Sequence, residues 1–163
     1  MYNSLEVAWK MLQIAKRKGL SLSNLQLQKL VYIAHGYMLG WQNKALISDN
    51  VEAWNYGPVI SSVYHGFKHF GDSKIEVDPN VDNIKTNLDS DGLAIQVIDG
   101  VLNLYGHLDA MHLVNLTHQP DTPWYITWNE MGGNRYYSFP IDNEIIKNHY
   151  RKVIVNPQSV GGL

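Results

Sequence analysis

The chain has 163 residues, of which 45% are apolar and 11% aromatic, with a net charge of −2 and no cysteine. That length suits one domain around a single core, and the lack of cysteine excludes disulfides, thiolate metal sites and cysteine nucleophiles. No basic block supplies the electrostatic footprint of a nucleic-acid binder, and no apolar run approaches the roughly 18 residues of a membrane span.

Nothing near the N-terminus resembles a signal-peptide core, so the expected location is the cytoplasm. Charged residues are only 17%, and there are 10 tyrosines. A composition like that serves either a thick aromatic core or a surface made for protein contacts.

Residues 4–18 carry Leu5, Ala8, Trp9, Leu12 and Ala15 at helical spacing, with Ser4 placed to cap and Gly19 to stop the helix. Lys10, Lys16, Arg17 and Lys18 form the densest basic stretch, and they lie toward the helix C-terminus, where the dipole favours cations. The next helix has the strongest signature: Ser23 and Gln26 stand at capping-box spacing. Leu27, Leu30, Val31, Ala34, Met38 and Trp41 then form one stripe, with Gly36 and Gly40 leaving room for a close neighbour.

Residues 51–56 alternate in polarity and read as a short extended segment. Gly57-Pro58 punctuates the chain, and proline suits a first helical position, so a third helix is predicted from Pro58 to Phe70, ended by Gly71. From Asp72 to Gly92 the composition turns to Asp, Asn and Ser, which predicts a long surface loop with a short strand at Ile75–Val77.

A fourth helix follows at about 93–106, burying Ile98, Val101, Leu102 and Tyr105 despite Gly100. Asp109 is placed to cap a fifth at 110–118. Pro120 and Pro123 impose a break before one or two turns at 124–130, and Gly132-Gly133-Asn134 forms a turn. Asp142 caps a last helix at 143–151, with Ile141 and Ile146 at staple spacing. The reading is a mainly α fold, a bundle of about six helices with little or no sheet, spanning 1–155, with a frayed tail at 156–163.

Three constellations bear on chemistry. His65 and His69 stand i, i+4, but the segment between lacks the glutamate of a zinc protease, and no third ligand is identifiable. Asp78, Asn80 and Asp82 match the start of a calcium loop, yet Asn83 replaces the glycine of its turn and Asp89 the bidentate glutamate. His118 sits at a helix terminus, where an imidazole bonds free carbonyls. These patterns assign no catalytic residue, no metal and no cofactor.

Three phrases stand out: Leu27-Gln28-Lys29-Leu30 with Val31-Tyr32, then Glu52-Ala53-Trp54-Asn55-Tyr56-Gly57-Pro58-Val59, and finally Thr117-His118 with Pro123-Trp124. Taken together they resemble the Panacea domain, a phage-associated family. The resemblance runs from about residue 4 to 151 and implies an all-helical antitoxin that neutralises a protein toxin by direct contact. In one branch it implies an adaptor that delivers the toxin to a Clp-type protease.

The residues of the resemblance are mostly apolar, Gly or Pro, as a fold signature would be. The expected contact residues lie outside them or at their edge: Trp54, Tyr56, Tyr64, the loop carboxylates Asp78 and Asp82, and the Tyr136-Tyr137 segment. Two other readings are a small metal-dependent hydrolase using some of the seven histidines, and a phage-encoded regulatory protein.

Overall fold

The computed structural model describes residues 1–80 and 85–157. It is mainly helical, 63% by residue, with a small three-stranded sheet. The order is α1 (Ser4–Arg17), α2 (Asn24–Gln42), β1 (Glu52–Trp54), β2 (Gly57–Val59), α3 (Ser61–Phe67), α4 (Gly92–Tyr105), α5 (Ala110–His118), α6 (Pro123–Tyr125), β3 (Phe139–Pro140) and α7 (Asn143–Val155). Among the described residues α6 is a single turn that runs on as a π-helical turn over Ile126–Glu130. No helix among the described residues is long and apolar enough to cross a membrane.

α2 is the axis of the fold. It touches α1, α3, α4, α5 and α7, most extensively α7, and its buried residues cover nearly its whole circumference. A helix buried on nearly all sides belongs inside a core, and Leu27, Leu30, Val31 and Ala34 are each 0% exposed. The capping box is present as predicted, with Gln26 N bonding Ser23 Oγ and Ser23 N bonding Gln26 Oε1. Asp109 and Asp142 cap α5 and α7 by accepting from His112 N and Glu144 N. Gly36 and Gly40 face Tyr150 of α7 at distances that leave no space for a Cβ.

Several expectations are corrected. The third helix begins at Ser61, not Pro58, because residues 57–59 pair antiparallel with β1, Trp54 opposite Gly57 and Glu52 opposite Val59. β3 completes the sheet on the other side of β1, giving the order β2-β1-β3. Ile75–Val77 forms no strand: Lys74 makes a lone bridge to Ser23, and Ile75 N bonds Leu22 O.

The cap of α1 is Asn3, whose side chain accepts from Leu5 N, while Ser4 is buried inside the first turn with no partner for its hydroxyl among the described residues. Trp9 and Trp41, assigned to the buried stripes, are 37% and 51% exposed. α7 continues to Val155, four residues beyond the expected end at 151. Of the tail assigned to 156–163, residues 158–163 lie outside the described residues, as does Asp82.

Candidate interaction surface

The site is built outward from Lys29. This side chain points from α2 toward the β1–β2 hairpin, is 0% exposed, and donates from Nζ to Tyr56 O at 2.6 Å and Pro58 O at 3.1 Å. Burial pushes its ammonium down to about 7. Its neighbour Gln28 accepts from Ile60 N at 3.0 Å. Two adjacent side chains of α2 thus hold the hairpin turn, β2 and the entry to α3.

Gly57 is the tight point. Its φ of +102° lies in the region that favours glycine, and a Cβ there would stand 2.6 Å from Lys29 Nζ and 2.8 Å from His118 Cε1. His118 ends α5 with Nδ1 bonded to Val114 O at 2.7 Å and Nε2 3.5 Å from Asn55 O. A carbonyl accepts, so Nδ1 carries the proton of the neutral ring. Burial lowers the His118 pKa, the bond to Val114 works against that, and the charge of Lys29 lowers it further.

The His118 ring lies 3.9 Å from that of Trp124, and Trp124 Nε1 donates to Trp54 O at 2.7 Å. Pro123 opens α6, capped by Thr122, whose hydroxyl also donates to Thr117 O at 3.0 Å. Thr117 in turn donates to Leu113 O and Val114 O. Lys29, Gly57, Pro58, Thr117, His118, Pro123 and Trp124 therefore meet at one joint between α2, the hairpin, α5 and α6, with Leu27 and Leu30 in the core beneath. Lys29 and Trp124 bond the hairpin directly, at Tyr56 O, Pro58 O and Trp54 O.

What the hairpin presents is aromatic. β1 alternates, with Ala53 buried and Glu52 and Trp54 turned the other way. The Trp54 ring lies 5.3 Å from Tyr64 and 6.0 Å from Tyr137. Tyr56 is 70% exposed, Tyr64 37% and Tyr137 90%. The structure thus brings together Trp54, Tyr64 and Tyr137, while Tyr56 stands exposed in the turn between β1 and β2.

Glu52 and Ser138 are the members that sequence reasoning missed. Trp54 Nε1 and Ser138 Oγ both donate to Glu52 Oε2, at 2.7 and 2.6 Å. The i, i+2 spacing of Glu52 and Trp54 in an alternating segment was the available signal.

Asp78 is not drawn into this group: it is exposed and accepts from Asn80 N. The histidine pair of the metal reading is separated by a change of helix type, since α3 ends at Phe67 and His69 lies in a 3₁₀ turn. Among the described residues no three His, Asp or Glu gather as metal ligands.

Fold and site define a class: a mainly helical domain in which a tightly fitted joint stiffens a hairpin beneath an exposed aromatic face. Residues 27–125 match the family described as "Antitoxin SocA-like, Panacea domain". The chain is also 32% identical to Antitoxin SocA of Caulobacter vibrioides (strain NA1000 / CB15N) over 151 residues, covering 89% of this chain and 80% of that protein. It belongs to the SocA-like Panacea family of antitoxins. No solved structure matches it.

Proposed function

We propose that this protein is a non-catalytic cytoplasmic antitoxin that neutralises a protein toxin by direct contact, and that the toxin docks on Trp54, Tyr56, Tyr64 and Tyr137. The observation that carries the reading is a half-buried Trp54 and an exposed Tyr56 on a hairpin that buried residues hold from behind, with Tyr64 of α3 and Tyr137 before β3 against the Trp54 ring. Aromatic side chains anchor protein interfaces because they bury much apolar area at little cost in rotamer freedom.

Recognition runs through side chains and not through strand addition. The carbonyls of Tyr56, in the turn, and Pro58, on β2, are taken by Lys29, and on β3 Pro140 has no N–H to offer. Both sheet edges are poor templates for a further strand.

The test is co-expression rescue with the toxin encoded beside this gene, using Tyr56→Ala, Tyr137→Ala and the pair. Each ring is exposed, so melting should stay within a few degrees of the parent. Loss of an aromatic anchor should weaken toxin binding roughly thirtyfold. Leu30→Ala is the contrast, expected to cost about 2–5 kcal/mol of stability. Asp78→Ala measures the share of the loop. Full neutralisation by the stable double tyrosine variant would show that the toxin docks elsewhere.

A further inference from the structure

The aromatic face contains a carboxylate with no cation. Glu52 makes no ion pair among the described residues, and both of its hydrogen bonds fall on one oxygen, Oε2. Oε1 accepts nothing among those residues. An anion with a free oxygen, bonded at the edge of an indole that Tyr64 and Tyr137 flank, is a place where a cation gains twice: from charge and from the negative faces of the rings. The bond from Trp54 Nε1 to the carboxylate strengthens this, because it places electron density on the indole. Lys29, on the buried side, is engaged by the hairpin carbonyls and does not fill the role.

We propose that Glu52, Trp54, Tyr64 and Tyr137 form a receiving site for an arginine side chain of a protein ligand. The planar guanidinium lies against the rings and donates to Oε1 of Glu52. Arginine fits better than lysine because a flat, weakly hydrated cation can stack and donate at once. Ser138 and Trp54 are positioning residues for the carboxylate: by holding Oε2 they leave Oε1 turned to the incoming donor. The toxin assignment rests on the surface proposed above, but the site itself can be probed without the toxin.

The probe is a short blocked peptide with one arginine, titrated into the protein while the Trp54 indole N–H resonance is followed, that signal being assigned by its loss in Trp54→Phe. A matched citrulline peptide keeps the shape and removes the charge. A saturable shift with arginine, about tenfold weaker with citrulline and equally weakened by Glu52→Gln or Tyr137→Ala, is the expected result.

Glu52→Gln retains an acceptor for Trp54 and Ser138, and Tyr137 is 90% exposed, so both variants should melt like the parent. If one of them unfolds, the other still decides. Equal shifts with arginine and citrulline, or no saturable shift, would overturn the site. If Tyr137→Ala abolishes neutralisation but arginine does not bind, the docking surface stands and the cation site falls. If arginine binds as expected while Glu52→Gln and Tyr137→Ala neutralise normally, the cation site stands and the toxin docks elsewhere.

Discussion

A buried lysine held by two carbonyls is an expensive way to hold a turn, and it leaves Gly57 no freedom. Two independent constraints act on this residue: a φ of +102°, and a missing Cβ that would meet Lys29 and His118 within 3.0 Å. Either alone would disfavour a side chain; together they exclude a β-branched one. Gly57→Val should therefore lower stability by about 2–4 kcal/mol, combining the backbone and overpacking costs. Gly19 is the comparison, since its φ of +73° is similar but nothing lies within 4 Å of its Cβ position. Gly19→Ala should cost about 1 kcal/mol, the backbone part by itself. Thermal melts of both check this. Loss of toxin neutralisation by Gly57→Val at unchanged melting temperature would make the turn a contact point and not a structural one.

At the scale of elements, the decisive contact is α2 against α7, and glycine sets its distance. A Cβ at Gly36 would fall 2.2 Å from the Tyr150 ring, and one at Gly40 would fall 2.9 Å from the Tyr150 backbone. Gly100 in α4 has open space around the same position. Alanine at these helical sites should thus act with opposite sign. Gly100→Ala should add roughly 0.5–1 kcal/mol through helix propensity, whereas Gly36→Ala should destabilise by about 1–3 kcal/mol by forcing the helices apart. Denaturant midpoints of the two variants on either side of the parent are the expected outcome; equal shifts in one direction would refute it.

Elements whose cause is local were legible in the sequence. The Ser23–Gln26 capping box, the Asp109 and Asp142 caps and the α2 stripe all act within a few residues. The start of α3 was misplaced because Pro58 is suited both to a first helical turn and to a strand edge. The choice is made by distant Lys29 and Gln28, which hold Tyr56 O, Pro58 O and Ile60 N. The aromatic grouping around Trp54 was half legible for the same reason. Trp54, Tyr56 and Tyr64 are close in sequence, but the meeting of Trp54 with Tyr137, and of Glu52 with Ser138, depends on β3 closing against β1.

For the molecule as a whole, the buried titratable groups dictate how stability follows pH. In the acid range the histidines govern. His35 Nδ1 stands 3.3 and 3.4 Å from the Leu46 and Ile47 N–H groups that donate to it, while Nε2 faces Asn143 Oδ1 at 2.9 Å. Protonating Nδ1 would set a donor against two donors. Burial lowers the pKa of His35, His118 and His149, the last to about 4. The unfolded chain then binds protons first as pH falls below 6.5, so stability is lost from there down through about 4. Lys29 acts with the same sign in another window. Its ammonium is lowered from 10.5 to about 7, so between those values the unfolded chain holds more protons and stability rises with pH. The buried tyrosines Tyr32, Tyr105 and Tyr150 are raised above 10.0, mainly by burial, which reverses the slope beyond that value. Melting temperature should therefore climb from acid to neutral, climb again from about 7 toward 10, and fall at higher pH. Lys29→Met isolates the middle limb. It lowers the whole curve, because Tyr56 O and Pro58 O lose their donor, but it should flatten the rise between pH 7 and 10. A variant that keeps the parent slope there would show that Lys29 is charged throughout and that another group drives the rise.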